Sequence, residues 1–344
     1  MGRLDLRTLG ELGLIRTLRR RAGEPGRRWL RGIGDDAAIL RPRPGHDLVV
    51  TTDALVENVH FRFRTSDARS LGHKALAVNL SDVGAMGARP LGFVLSLAIP
   101  RATPEPRLDG FLSGLLTEAR SAECPLVGGD TVEAPSWVVT VTAFGEVARG
   151  AALQRGGARP GDRLAVSGEL GGAALGLAVL ERGAGSAPGV ARFVRRQLRP
   201  RPPVHLGRRL TGVARAAIDL SDGLAIDLDH LLRESGLGAD VGLDRLPLSR
   251  RFGTVAAQMG LDPLELALHG GEDYELLVAL PRDAPSAERL GRRLGVRLTE
   301  IGTVRRGRGA RYWLGGRRIP VARAGFSHFR GPHRVKGSKF QAEK

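Results

Sequence analysis

The sequence contains a single cysteine, Cys124, among its 344 residues. One thiol cannot form a disulfide within the chain, which excludes the disulfide-stapled frameworks of small secreted domains. We therefore expect the protein to work in the reducing environment of the cytoplasm.

Long apolar runs are also missing. No uninterrupted apolar stretch reaches the roughly 18 residues that a membrane-spanning helix needs. The first residues lack the apolar core of a secretion signal. We therefore expect neither export nor a membrane partner.

Aromatic residues make up only 4% of the chain, and the net charge of +17 comes almost entirely from arginine. Such a charge can attract nucleic acid, but no aromatic side chains alternate with the basic ones to stack on bases. We expect no nucleic-acid partner and favour small molecules that carry phosphate. A basic nucleic-acid-binding protein remains an alternative of another class, and a steep loss of affinity with salt would identify it.

Helix-like and strand-like patterns alternate along the chain, and 42% apolar residues in this length can build two domain cores. The sequence predicts an α/β fold of the α+β type. A junction rich in Gly, Arg and Pro at residues 149–161 separates an N-terminal domain (1–148) from a C-terminal domain (149–330). Residues 331–344 are basic with little apolar content, which predicts a disordered tail.

The stretch Leu71–Pro90 predicts a buried helix, because apolar and small residues cover nearly all of its circumference. Asp82 lies in its middle. A buried carboxylate must be hydrogen-bonded, ion-paired or bound to a metal; capping of a second helical segment is the alternative. The segment Ala77–Asp82 is echoed by Ala217–Asp222, and each copy is an apolar segment that ends in Asp. Residues 105–121 predict an amphipathic helix.

Two groups of polar residues are predicted at strand ends, where sites are commonly built. Residues 47–53 predict a short strand that ends in Thr51, Thr52 and Asp53. The sequence Gly128-Gly129-Asp130 predicts a turn after another short strand.

Seven acidic residues are candidates for a functional site, and most of them follow an apolar run and lie beside Gly, Ser or Thr. Neighbouring carboxylates repel each other, and a set of them with almost no Cys and few His favours Mg²⁺ over Zn²⁺. Several Mg²⁺ ions indicate a polyphosphate ligand. The alternative is that some of these residues only form turns and helix caps. The set is Asp36, Asp53, Asp82, Asp130, Asp219, Asp222 and Glu272.

The familiar phosphate-binding motifs are absent. The chain has no G-x-x-x-x-G-K-[ST] loop and no protein-kinase H-R-D or D-F-G motif. A bound nucleotide would therefore depend on metal ions, arginine and backbone N–H groups.

Several segments in chain order together resemble the thiamine-monophosphate kinase family, from about residue 8 to residue 330. Single motifs are shared with a superfamily of ATP-using enzymes that includes aminoimidazole-ribonucleotide synthetase, whereas the combination resembles the kinase. The segments are GIGDDAAIL (32–40), TTDALVENVHF (51–61), KALAVNLSDVGAMGARP (74–90), VGGDT (127–131), AIDLSDGL (217–224), GGEDYELL (270–277) and GFSHF (325–329).

The resemblance implies Mg²⁺-dependent transfer of the γ-phosphoryl group of ATP to thiamine monophosphate, giving thiamine diphosphate and ADP. It implies a homodimer in which N-terminal mixed sheets pair, a C-terminal α/β domain with a mixed sheet, and ATP with several Mg²⁺ ions between the domains. Carried over by position, it implies metal ligands at Asp36, Thr51, Thr52, Asp53, Asp82, Asp130, Asp219 and Asp222. It likewise implies ATP contacts at Gly129, Asp130, Arg155 and Ser221, and substrate contacts at His60, Glu272 and Phe326.

A phosphate oxygen as acceptor needs no strong general base, so we expect direct in-line transfer and no catalytic nucleophile. The nearest alternative is another ATP-dependent enzyme of the same superfamily. Such an enzyme would share the metal ligands and differ at His60, Glu272 and Phe326.

Overall fold

The structure, a computed structural model, describes residues 6–322. The chain divides into two compact units between Ala152 and Leu153, and no helix in the described part is long and apolar enough to cross a membrane. The N-terminal unit contains α1 (Leu6–Ala22), β1 (Trp29–Arg31), β2 (Ile39–Leu40), β3 (His46–Val56), α2 (Ala68–Ala85), β4 (Arg89–Ile99), α3 (Glu105–Ser121), β5 (Leu126–Glu133) and β6 (Val138–Ala148).

The main sheet of the N-terminal unit has the strand order β3-β6-β4-β5. Its pairs are antiparallel except for β4 and β5, so the sheet is mixed, as predicted. Strands β3 and β6 pair without a bulge from His46 opposite Ala148 to Val56 opposite Val138. This long regular pairing fixes which side chains of β3 share a face.

Helix α2 covers one face of this sheet and is buried almost all round, as its composition predicts. The Asp67 carboxylate caps its first turn by accepting a hydrogen bond from the Ser70 N–H at 2.8 Å. The helix continues unbroken past Asp82, so the alternative that Asp82 caps a second helical segment is wrong. Asp82 itself is half-buried.

Glu146 on β6 is the centre of a charged network in the N-terminal unit. Its carboxylate lies 2.5 Å from Arg28 Nη1 and 2.7 Å from Arg89 Nη2, and its side chain is only 4% exposed. Arg89 on β4 is directly opposite Glu146 in the sheet register. The network therefore ties the segment before β1 to two neighbouring strands.

Replacing Glu146 with Gln is expected to lower the free energy of unfolding by about 2 kcal/mol near neutral pH, because Arg28 and Arg89 lose a charged acceptor. Burial opposes ionisation of Glu146, but hydrogen bonds from Arg28 and Arg89 outweigh it and lower its pKa below the usual 4.5. This stabilisation is complete above the ordinary pKa and is lost as the pH falls through the lower folded-state value. Urea unfolding at a series of pH values measures it. The free energies of unfolding of wild type and variant should converge at acid pH. A difference that stays constant with pH would contradict stabilisation by the ionised Glu146.

The C-terminal unit is an α/β domain built on a seven-stranded mixed sheet of order β13-β12-β9-β11-β7-β10-β8, in which only the β9–β12 pair is parallel. Its elements are β7 (Arg163–Ser167), α4 (Gly172–Glu181), α5 (Ala191–Leu198), α6 (Val204–Leu210), β8 (Ala216–Asp219), α7 (Leu224–Glu234), β9 (Gly238–Gly242), α8 (Phe252–Gln258), α9 (Pro263–His269), β10 (Leu276–Leu280), α10 (Ala287–Leu294), β11 (Leu298–Arg305), β12 (Gly309–Leu314) and β13 (Arg317–Ile319).

Strand β8 forms one end of this sheet, yet every one of its residues is buried. The backbone of Gln154 covers its free edge by accepting a hydrogen bond from the Ala217 N–H at 2.9 Å. Beyond Asp219 the chain breaks and then enters α7, whose Leu224, Leu228 and Leu231 pack into the core. The echo between Ala77–Asp82 and Ala217–Asp222 therefore joins unlike structures, a helix in one copy and a strand with its following break in the other.

Candidate functional site

Thr51, Thr52 and Asp53 lie in the middle of β3, which is 11 residues long, and not at a strand end as predicted. Neighbouring residues of a strand point to opposite faces. The Thr51 hydroxyl donates to Asp82 Oδ2 on α2 at 2.5 Å, whereas the Thr52 hydroxyl lies 3.0 Å from that of Thr142 on β6. The hydroxyls of Thr51 and Thr52 therefore do not face the same point.

Thr51, Asp53 and Asp82 assemble on the helix-covered side of the sheet. Alternation along β3 places Asp53 on the same face as Thr51, which contacts Asp82 directly. All three side chains are half-buried. Strand and helix thus bring together, from positions about 30 residues apart, two carboxylates and a hydroxyl that the sequence singled out separately.

Gly129 and Asp130 lie inside β5, so the predicted Gly-Gly-Asp turn is wrong. Gly129 is opposite Leu95 of β4 in the parallel register, with φ of 152°. A Cβ at Gly129 would lie 1.9 Å from the Leu95 carbonyl oxygen, so no other residue fits without backbone movement. Asp130 is exposed, and its carboxylate accepts a hydrogen bond from the Thr131 N–H at 2.8 Å.

Asp36 lies in the exposed turn between β1 and β2. Its backbone N–H donates to Asp35 Oδ1 at 3.0 Å, and Gly34 supplies a left-handed residue with φ of 110°. This is the local turn chemistry that the sequence left as the alternative to metal binding. It leaves the Asp36 carboxylate at the surface.

His60 lies in the turn that follows β3. Its Nδ1 accepts a hydrogen bond from the Val56 N–H at 2.9 Å, and its own backbone N–H donates to the Val56 carbonyl oxygen at 2.9 Å. A neutral imidazole that accepts at Nδ1 carries its proton on Nε2. The turn therefore orients Nε2 as the hydrogen-bond donor of this side chain.

The predicted acidic group of the C-terminal unit surrounds the break between β8 and α7. Asp219 is the last residue of β8 and is 3% exposed. Asp222 follows it in the break, half-buried. Asp227, one turn into α7, accepts hydrogen bonds from the backbone N–H groups of Asp222 and Gly223, both at 3.1 Å. A buried carboxylate thus fixes the backbone that carries the other two.

Sequence reasoning missed Asp227. Burial, together with the negative charges of Asp219 and Asp222, raises the pKa of Asp227 to about 8. Three carboxylates therefore crowd one break, an electrostatic cost that a hard cation would relieve. The available signal was an acidic residue in the first turn of a helix entered through glycine, a pattern that is more often a simple helix cap.

Glu272 lies in the loop between α9 and β10, where two residues other than glycine adopt the left-handed region, Glu272 at φ of 67° and Tyr274 at 48°. Such conformations are costly and persist where the surroundings enforce them. The Glu272 N–H donates to the Ser221 carbonyl oxygen at 2.7 Å, and the Tyr274 N–H to that of Leu220 at 2.8 Å. These bonds attach the loop to the break after β8.

Asp273, between the two strained residues, anchors the loop on its other side. Its carboxylate accepts hydrogen bonds from the N–H groups of Gly171 at 2.6 Å and Ala173 at 3.2 Å, at the start of α4. Burial raises the pKa of Asp273 to about 7, although Arg196 and these two N–H groups favour its ionised form. The sequence indicated the acidic pair Glu272-Asp273 as a candidate. It did not indicate that Asp273 is buried and holds the loop against the start of α4.

Two of the three remaining candidate residues lie in the described part of the chain. Ser221 lies in the break after β8, and its backbone carbonyl binds the Glu272 loop. Arg155 is exposed in the segment before β7. Phe326 lies outside the described residues.

Between residues 6 and 322, no three His, Cys, Asp or Glu side chains form a group that could hold a metal ion by themselves. Mg²⁺ is commonly bound by one or two carboxylates together with phosphate oxygens and water.

Comparisons with known proteins match both units. The family model for AIR synthase related protein, N-terminal domain, matches residues 34–147, and that for the C-terminal domain matches residues 159–314. Thiamine-monophosphate kinase of Mycobacterium tuberculosis is 39% identical over 286 residues, which is 83% of this chain and 84% of that protein.

Two solved structures are similar over nearly all of the chain. The crystal structure of thiamine-monophosphate kinase from Stenotrophomonas maltophilia has a TM-score of 0.79 and 41% identity, and the match covers 88% of this chain and 96% of that one. AaThiL complexed with AMPPCP and TMP has a TM-score of 0.75 and 32% identity, with 96% and 99% covered.

Proposed function

Because the chain belongs to the thiamine-monophosphate kinase family, we propose that it transfers the γ-phosphoryl group of ATP to thiamine monophosphate. The products are thiamine diphosphate and ADP. The observation that carries the proposal is the acidic break at Asp219–Gly223, braced by Asp227 and attached to the Glu272 loop. AaThiL, of similar fold, is complexed with AMPPCP, an ATP analogue, and with TMP.

The donor set fits Mg²⁺. Carboxylates and hydroxyls are the ligands of a hard cation, and the crowding of Asp219, Asp222 and Asp227 favours positive charge at that break. When bound, Mg²⁺ neutralises charge on the transferring phosphoryl group and its phosphate neighbours. The proposed ligands are Asp36, Thr51, Thr52, Asp53, Asp82, Asp130, Asp219 and Asp222, with Gly129, Asp130, Arg155 and Ser221 for ATP and His60, Glu272 and Phe326 for the acceptor. Because the hydroxyls of Thr51 and Thr52 face opposite sides of the sheet, these two hydroxyls would serve different ions.

We propose direct in-line transfer, in which an acceptor phosphate oxygen bonds to the γ-phosphorus as the bond to the ADP oxygen breaks. Catalysis then consists of positioning and charge stabilisation. The only thiol, Cys124, is buried, and burial raises its pKa to about 12. It is therefore a poor nucleophile, in keeping with a mechanism without a covalent enzyme intermediate.

One incubation tests the reaction, the acceptor and the metal together. Purified protein is mixed with ATP, excess Mg²⁺ and thiamine monophosphate, and the thiamine species are separated by chromatography. Thiamine as acceptor and EDTA are the parallel controls. We expect diphosphate from the monophosphate only, abolished by EDTA. ATP binding without any diphosphate would instead support another ATP-dependent enzyme of the superfamily.

Replacing His60 with Ala is expected to raise the KM for thiamine monophosphate about tenfold, the effect of one lost hydrogen bond to a charged group. The KM for ATP should change less than about twofold, because the imidazole is proposed to face the acceptor alone. Steady-state kinetics with each substrate varied in turn provide both values. A raised KM for ATP with an unchanged acceptor KM would remove His60 from the acceptor pocket.

We further propose that two chains pair through the open face of the N-terminal sheet. Leu48 and Val50 on β3 are 49% and 55% exposed, on the face opposite α2, and Val132 on β5 is 48% exposed. An apolar sheet face of this kind suits burial against a second copy. Sedimentation equilibrium should give about twice the chain mass of 36.7 kDa. A single-chain mass at assay concentration would contradict the pairing.

A further inference from the structure

Gln197 lies in the last turn of α5 and is buried, with 5% of its surface exposed. Its Nε2 donates a hydrogen bond to Glu272 Oε2 at 2.6 Å. A carboxylate only accepts hydrogen bonds, so the amide must present its NH₂ group to Glu272. The orientation of the Gln197 amide is therefore determined by this contact.

The neighbouring residue binds the other end of the same loop. Arg196 Nη2 lies 2.9 Å from Glu275 Oε1 and donates to the Glu169 carbonyl oxygen at 2.8 Å. Glu275 also accepts a hydrogen bond from the Ser167 hydroxyl at 2.6 Å. The end of α5 thus contacts Glu272 through Gln197 and Glu275 through Arg196.

The two contacts differ in charge. Arg196 neutralises Glu275, which is held in a structural ion pair. Gln197 is neutral, so its amide orients the Glu272 carboxylate without forming an ion pair with it. Backbone hydrogen bonds hold the strained Glu272 main chain, and the Gln197 amide holds one oxygen of its side chain.

The Gln197 carbonyl oxygen, Oε1, is buried and has no hydrogen-bond partner within the described residues. Burying an amide with one half unpaired is unfavourable, and such a group needs a partner such as a water, an ion or a ligand. Beside the Glu272 carboxylate, this oxygen adds a second acceptor. The pair therefore suits a ligand that carries N–H donors or positive charge.

We propose that Gln197 is a positioning residue that sets the affinity for the acceptor substrate by orienting the charged Glu272 carboxylate toward its nitrogen heterocycle. This inference rests on the proposed function, because it takes Glu272 to face the acceptor. The role requires the amide donor. A purely structural role in packing α5 would need only the volume of the side chain.

Gln197→Met tests the proposal, because methionine has a similar length and shape but no N–H donor. We expect the KM for thiamine monophosphate to rise about tenfold, the effect of one hydrogen bond to a charged group. The kcat and the KM for ATP should stay within about twofold. The matched control is Gln258→Met, the same change at an exposed position at the end of α8, which should leave all three values unchanged.

A double-mutant cycle with Glu272→Ala shows whether the effect passes through Glu272. In the Glu272→Ala background, Gln197→Met should change the acceptor KM by less than about twofold. Calorimetric binding of thiamine monophosphate by each variant, with thermal unfolding to verify the fold, gives a second readout. If wild type and Gln197→Met had equal KM and Kd for thiamine monophosphate, or if the effects in the cycle were additive, the inference would be overturned. The proposed function would not be affected, because the wild type would still catalyse the reaction. A wild type that neither binds nor phosphorylates the acceptor would overturn the proposed function and this inference with it.

Discussion

Replacing Asp222 with Asn is expected to lower kcat on the order of 100-fold, the typical effect of removing one preorganised charge stabiliser. Asn keeps the size of the side chain and removes its charge. The backbone of the break should persist, because the Asp222 N–H still donates to Asp227. The loss should therefore come from weaker metal binding and poorer stabilisation of the transferring phosphoryl group, and not from unfolding.

Two measurements separate those causes. Titration of Mg²⁺ at saturating ATP and thiamine monophosphate should show a higher Mg²⁺ requirement for the variant, with a rate that stays low at saturation. Thermal unfolding should remain within a few degrees of wild type, since about 1 kcal/mol corresponds to only about 2–4 °C in a domain of the size of the C-terminal unit. Near-normal turnover at low Mg²⁺ would show that Asp222 does not serve the metal.

Asp283→Asn is the matched control for this experiment. It makes the same chemical change in the same unit, at an exposed position between β10 and α10. Its kcat and Mg²⁺ dependence should match wild type. If both variants lost activity to a similar degree, the effect would reflect the charge of the unit as a whole and not the break after β8.

Much of the fold could be predicted from local sequence patterns. Helix α3 occupies residues 105–121, as its apolar spacing predicts, and α2 is buried nearly all round because its residues are apolar or small. The α/β class was likewise predicted correctly. These features depend on periodicity within one element, which a sequence displays directly. The mixed sheets, in contrast, were expected from the resemblance to the kinase family, and the strand pairing agrees with that expectation.

Strand limits could not be predicted as well. Gly128-Gly129-Asp130 has the composition of a turn, yet these residues pair with β4 and therefore form part of β5. Thr51–Asp53 similarly continue as strand because β6 supplies partners as far as Val56. Pairing with a strand that lies distant in sequence overrode local turn preference in both cases. The consequence for the site is that Thr51 and Thr52 face opposite sides of a sheet.

The residues that brace the candidate site were the least visible in the sequence. Asp227, Asp273 and Gln197 hold a backbone or side chain in place through one or two hydrogen bonds each. Each belongs to a residue type common on helices and in turns, and none stands in a pattern that separates bracing from capping. Their partners lie as far away as 102 residues, so only the folded chain reveals the pairing.

A second large effect is expected where α2 and α3 cross. Two glycines allow the backbones to touch: a Cβ at Gly72 would lie 2.0 Å from the Phe111 carbonyl oxygen, and one at Gly114 would lie 1.8 Å from that of Arg69. Both obstacles are helix backbone, which cannot move aside as a flexible side chain can. Helix α2 carries Asp82, so the close crossing also determines how far that carboxylate reaches toward β3.

Gly114→Ala is therefore expected to destabilise the N-terminal unit by about 3 kcal/mol, the upper part of the usual range for overpacking. Helix propensity alone predicts the opposite, since alanine is better than glycine inside a helix by about 1 kcal/mol. Gly110→Ala, one turn earlier in α3, is the matched control. Its added Cβ would lie 3.6 Å from the Ala68 Cβ, an ordinary contact, so propensity should prevail and the variant should be slightly stabilised.

Urea unfolding of wild type, Gly110→Ala and Gly114→Ala provides the comparison. Opposite signs for the two variants would establish that close backbone contact, and not helix propensity, decides the Gly114 position. Gly114→Ala should also lower activity through displacement of Asp82, with a raised Mg²⁺ requirement in the fraction that remains folded. If both variants stabilised the protein, α2 and α3 would lie further apart than the 1.8 Å between the added Cβ and the Arg69 carbonyl oxygen implies. The position of Asp82 against Thr51 would then be wrong as well.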